Sequence, residues 1–100
     1  TETREHILVG VAYGSDIELV KKLLLEAASS HPDVISAPKP KVLFIDFGDS
    51  SLNFKLIFTL NNSFEAALPK SDIRFKIDAS FRKNKVAIPF PQRDIRIINS

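Results

Sequence analysis

Leu52-Asn53-Phe54-Lys55-Leu56-Ile57-Phe58-Thr59-Leu60 carries the decisive pattern of this chain. Leu52, Phe54, Leu56, Phe58 and Leu60 fall on every second residue, with Asn53, Lys55, Ile57 and Thr59 between them. Alternate side chains of a strand project to opposite faces, so this stretch reads as a strand with one buried face and one mostly polar face. Just upstream, Gly48-Asp49-Ser50 reads as a tight hairpin turn, with residues 42–47 as the antiparallel partner strand. A sheet with one apolar face needs a layer of helices to cover it.

Working outward, residues 7–13 alternate Ile7, Val9, Val11 and Tyr13 with Leu8, Gly10 and Ala12, an apolar pattern on both faces that predicts a central strand. Gly14 ends it. Ser15-Asp16-Ile17-Glu18 has capping-box spacing, with Ser15 as the expected cap and Glu18 reaching back. Ile17, Val20, Leu24, Ala27 and Ala28 form one helical stripe, and Pro32 forbids continuation past His31. After the long strand, residues 64–68 fit a short turn of helix. Pro69 predicts a break there, with the main helix over about residues 70–84. Ile73, Ile77 and Phe81 share its buried side. Residues 86–91 read as extended, because Pro89 and Pro91 flank Phe90, and residues 95–98 read as the last strand. The order βαββαβ predicts an α+β, ferredoxin-like domain: a four-stranded antiparallel sheet with two helices on one face. Right-handed crossovers put the first and third strands in the middle.

One hundred residues with 44% hydrophobic and 26% charged content suit a single globular domain over 1–100. The net charge of +2 is too small to imply nucleic acid by itself. The charge is uneven: residues 1–40 hold four Lys/Arg against six Asp/Glu, and residues 41–100 hold ten against six. The lack of cysteine excludes a disulfide framework, thiolate metal sites and a Cys nucleophile. The longest apolar run is far short of the ~18–20 residues of a membrane helix. Because it begins at Thr1 rather than Met, the chain reads as a piece excised from a longer protein.

No residue pattern predicts catalysis, a cofactor or a metal. His6 and His31 have no third histidine or carboxylate at ligand spacing, so they read as exposed or helix-capping side chains. Gly14-Ser15-Asp16 opens a helix where an anion could bind, but Asp16 puts negative charge there and a capped turn is the better reading. Asp46 and Asp49 could be a paired carboxylate; a solvated turn explains them equally well. Lys70, Arg74, Lys76, Arg82, Lys83 and Lys85 make the second helix basic, and βαββαβ order is shared with RNA-recognition motifs. Those motifs stack bases on exposed sheet aromatics. Here Phe54 and Phe58 are in phase with the core leucines, which argues against RNA. Phe75 lies about 160° from Ile77 on a helical wheel. It is therefore either an isolated exposed aromatic or a contact with a neighbouring subunit.

Three ordered signatures carry a family resemblance: residues 9–16 (Val-Gly-Val-Ala-Tyr-Gly-Ser-Asp), residues 47–54 (Phe-Gly-Asp-Ser-Ser-Leu-Asn-Phe) and residues 88–94 (Ile-Pro-Phe-Pro-Gln-Arg-Asp). Together they resemble the C-terminal cytoplasmic α/β domain of small-conductance mechanosensitive channels, over roughly residues 7 to 98. The resemblance implies a non-enzymatic domain on the cytoplasmic side of the cell membrane, packed as a homo-oligomer in a heptameric cage below a tension-gated pore. Ions and small osmolytes would pass between its subunits, and the membrane helices would lie in segments outside this chain. Gly48, Asp49, Ser50, Ser51, Asn53, Phe90, Pro91, Gln92 and Asp94 match the family pattern and are expected to shape the hairpin, internal packing and subunit contacts. Thr59 stands where the family often has Trp. The chain ends six residues after Asp94, so the excised domain itself is expected to associate weakly. The alternative is a free-standing regulatory domain of ferredoxin-like fold that binds a small molecule.

Overall fold

In a computed structural model, the structure describes residues 2–61 and 66–89. Their element order is β1 (Glu2–Val11), α1 (Ile17–Ser29), β2 (Lys41–Phe47), β3 (Leu52–Asn61) and α2 (Ala67–Lys83). The strands form an antiparallel sheet in the order β1-β3-β2, with β3 in the middle as predicted. β1 pairs with β3 from Glu2 opposite Asn61 to Val11 opposite Leu52. β2 pairs with β3 from Lys41 opposite Ile57 to Phe47 opposite Leu52. Residues 95–98, the expected fourth strand, lie outside the described residues.

The alternation in β3 is realised as read. Leu52, Phe54, Leu56, Phe58 and Leu60 are all buried, and Phe54 is 1% exposed. Residues directly opposite each other across a ladder share a face, so Ile7, Val9 and Val11 of β1 join them on the inner side. The helices close this face with Val20, Leu23, Leu24, Ala27 and Ala28 from α1 and Ile73, Ile77 and Phe81 from α2. Burying that set at about 25 cal/mol per Å² of apolar area is the main stabilising term.

Several local expectations are corrected. β1 begins five residues earlier than its apolar run and is not apolar on both sides in effect, since Leu8, opposite Lys55 on the outer face, is 65% exposed. Tyr13 lies beyond the strand and is 51% exposed. The N-cap of α1 is Asp16, not Ser15: the Asp16 carboxylate accepts from the Leu19 N–H at 3.2 Å. Ser15 instead donates to the Ala12 carbonyl at 2.7 Å, closing the turn in which Gly14 adopts φ +93. A positive φ is open to glycine without a Cβ clash. Ile17 stays at the surface, and Leu23 takes its place in the buried stripe.

α2 starts at Ala67, before Pro69 rather than after it. Pro69 sits in the first turn, where an N–H has no helical partner to lose, so its ring is tolerated. The first bond of the helical ladder runs from the Lys70 N–H to the Ala66 carbonyl at 3.1 Å, one residue past the proline. The other end closes with a reversal: Lys85 at φ 60, its N–H on the Arg82 carbonyl and the Val86 N–H on the Phe81 carbonyl at 2.8 Å. This is a Schellman-type cap built on lysine where glycine is usual. It turns the chain back to the sheet, where the Ala12 N–H donates to the Ala87 carbonyl at 2.8 Å.

Candidate subunit-contact surface

The hairpin motif is held by a polar cluster. The Gly48 N–H donates to the Ser51 carbonyl at 2.7 Å, closing the turn between β2 and β3. Ser51 donates to the Asn53 side-chain carbonyl at 2.7 Å, and the Asn53 amide donates to the Asp46 carboxylate at 2.9 Å. The Tyr13 hydroxyl donates to the Gly48 carbonyl, which fastens the β1–α1 turn to the hairpin. Gly48 is required by close approach, not by φ. A Cβ there would stand 2.7 Å from the Asn53 amide nitrogen and 3.1 Å from the Ser51 carbonyl. Asp46 is thus engaged in shaping the turn through its bond to Asn53. Asp49 is exposed and Ser50 half-buried in the turn itself.

Beside this cluster, β2 exposes apolar side chains that the sequence reading did not single out. The register slips between Phe44, opposite Phe54, and Asp46, opposite Asn53, leaving Ile45 as the extra residue of a bulge. Phe47 therefore returns to the helix side of the sheet, opposite Leu52, yet neither described helix covers it and it is 71% exposed. Phe44 stacks on buried Phe54 at 4.8 Å between ring centroids, and Phe47 tilts against Phe44 at 5.0 Å. Leu43, Ile45 and Tyr13 are also exposed. The signal was present in Val42-Leu43-Phe44-Ile45, four consecutive apolar residues, but such a run normally marks a strand buried on both faces. Among the described strands β2 is instead at an edge.

α2 lies on the opposite flank. It is tied to β1 by Lys70 and Glu5 at 3.3 Å, and to the end of α1 by His31 and Asp72 at 3.0 Å. His31 Nδ1 accepts the Asp33 N–H at 3.0 Å, so Nε2 carries the proton given to Asp72. Phe75 points away from the core at 75% exposure, beside Ser71, Arg74 and Asp78. Asp78 pairs with Arg82 at 2.8 Å one turn on, and this hydrogen bond and charge raise the guanidinium pKa further above its usual value. A groove of about 240 Å³ runs between the outer edge of β1 and α2, lined by Ile7, Leu8, Val9, Gly10, Ile77 and Ile88 among others.

Of the residues singled out from sequence, the structure gathers Gly48, Asp49, Ser50 and Asn53 at the hairpin and puts Phe75 alone on the far helix. Phe90, Pro91, Gln92 and Asp94 lie outside the described residues. Phe54 and Phe58 are both buried in the core, and among the described residues the outer face of the sheet carries no exposed aromatic for stacking on bases. Among the described residues no three His, Asp or Glu side chains gather as they would around a metal ion. Nor is any helix there long and apolar enough to cross a membrane.

The described residues thus form an α+β scaffold with a polar-locked hairpin and apolar surface on two flanks. The chain belongs to the family described as mechanosensitive ion channel MscS, C-terminal, whose model matches residues 6–88. It is 38% identical over 99 residues to the mechanosensitive channel MscK of Escherichia coli, covering 99% of this chain and 9% of that protein. It is 37% identical to an MscS family protein of Haemophilus influenzae, covering 100% of this chain and 9% of that one. The crystal structure of Helicobacter pylori MscS in its closed state superposes with a TM-score of 0.83 at 30% identity, covering 99% of this chain and 39% of that chain. The chain thus spans a small part of its relatives' length. The family is one of channels rather than an enzyme class, and these matches do not favour the free-standing regulatory reading.

Proposed function

We propose that the longer protein containing this chain is a tension-gated channel of the cell membrane, and that this chain forms part of an oligomeric cage on the cytoplasmic side of its pore. The observation that carries the reading is the family match across residues 6–88, joined to whole-domain similarity to a channel structure. The chain's role is architectural: Gly48, Asp49, Ser50 and Asn53 hold the hairpin, while Phe75 and the 90–94 segment present contacts to neighbouring subunits. The assembly is a homo-heptamer through which ions and small osmolytes pass, without nucleic acid.

In this reading the domain is ferredoxin-like, and residues 95–98 complete the sheet along the outer edge of β1. Two observations support that placement. The bond between Ala12 and Ala87 brings the chain after α2 back to the end of β1. The groove beside β1 is lined by Ile7, Leu8 and Val9, apolar side chains that a further strand along this edge would cover. The test is to express the full-length protein in cells lacking other such channels and record from excised patches under suction. Pressure-dependent currents and survival of osmotic downshock are expected; their absence in correctly inserted protein overturns the reading.

A further inference from the structure

We propose that the exposed apolar end of β2 docks onto the outward face of α2 in a second copy of this chain, a head-to-tail contact that repeats from subunit to subunit. The inference rests on the oligomeric reading above and names the two surfaces. An edge strand bearing exposed aromatics invites association unless something covers it. Leu43, Phe44, Ile45, Phe47 and Tyr13 together leave roughly 500 Å² exposed, if aromatics of their kind present about 150–250 Å² each when free. A stable interface buries about 800 Å² per partner, so this patch alone supplies more than half.

Charge selects the partner surface. The hairpin end of the patch is acidic: Asp46 and Asp49 lie on the hairpin, and Asp16 lies just beyond Tyr13, which is fastened to Gly48, while Lys55 stands opposite Leu43 at the other end. Pairing the patch with itself would bring these carboxylates against their own copies. α2 and its cap carry a net positive charge: beyond the Lys70–Glu5 and Asp78–Arg82 pairs, Arg74, Lys76, Lys83 and Lys85 stand against Asp72. On the outward side of that helix stands Phe75, the most exposed of the described large hydrophobic residues, beside Arg74 and Asp78. Opposite potentials steer encounter and fix register, and a buried aromatic near the middle of a contact carries much of its energy. Position matters as well. α1 covers the β2 side of the sheet and α2 the β1 side, so the two surfaces lie on opposite flanks. Two different patches on opposite flanks cannot satisfy each other within one copy, and they generate a ring where the rotation closes.

The test uses the full-length protein in membranes, on a background with any other cysteines replaced. Phe47→Cys and Phe75→Cys subunits with different tags are co-expressed and treated with a short bismaleimide. A linked dimer carrying both tags is expected, with neither variant linking when expressed alone, and the double variant should give a ladder. Linking of Phe47→Cys to itself would mean a two-fold contact and overturn the proposal. So would assembled, tension-gated oligomers with no link, or a link confined to one subunit, which would show the patch covered by its own chain. Currents and native mass are read on the same samples. Working oligomers without the link refute this interface alone, whereas loss of currents in the unmodified protein refutes the channel reading.

Discussion

Phe54, Phe44 and Phe47 form one aromatic series running from the core to the surface, and their energetic ranking tests the placement of the sheet. Phe54 is 1% exposed and stacked on Phe44, whereas Phe47 is 71% exposed and touches the series only at its outer end. Replacing Phe54 by Ala removes about 110 Å² of buried apolar surface, or about 3 kcal/mol at 25 cal/mol per Å². The lost ring pair and the residual cavity bring the total to about 3–5 kcal/mol. Phe47→Ala removes a ring that is mostly hydrated and should cost no more than about 1 kcal/mol. A domain stability of about 5–15 kcal/mol leaves little margin, so Phe54→Leu, at about 1–2 kcal/mol, provides a variant certain to be measurable. Urea denaturation followed by circular dichroism reads all three. A Phe54→Ala loss below about 1 kcal/mol would mean that the faces of β3 are reversed, and a Phe47→Ala loss equal to that of Phe54→Ala would mean that the end of β2 is covered rather than exposed.

Gly48→Ala should destabilise by about 1–3 kcal/mol, because the new methyl must displace Asn53 and break its bond to Asp46; an unchanged denaturation midpoint would refute the close-approach argument. Asp16→Ala should cost about 1 kcal/mol through loss of the N-cap, with Ser15→Ala costing less; amide exchange in the first turn of α1 distinguishes the two. Lys85→Gly should stabilise by about 0.5–1 kcal/mol, since glycine adopts the positive φ of the helix cap without a Cβ penalty; thermal denaturation checks the sign.

Much of the fold was legible because its determinants are local. Strict alternation over residues 52–60 specifies which side of a strand is dry, whatever it later packs against. Likewise Ile73, Ile77 and Phe81, spaced by whole turns, mark the buried side of α2 before its partner is known. Misreadings fell where two local signals compete. Ser15 and Asp16 are both good caps, and the Gly14 turn decides between them by aiming Ser15 back at Ala12. Pro69 reads as a breaker until the chain before it is seen to be helical already, which makes it a first-turn residue.

The candidate site divides along the same line. By itself the sequence determined the family, the hairpin motif and the outward position of Phe75, each written in neighbouring residues or in one helical period. Tertiary structure alone decided that Leu43-Phe44-Ile45 lies at an edge of the described sheet, that the bulge at Ile45 returns Phe47 to the helix side, and that neither described helix reaches far enough to cover it. The physical reason is that burial of an apolar run depends on what other elements are brought over it. That coverage is set by strand order and helix placement, and these are properties of contacts between residues distant in the chain.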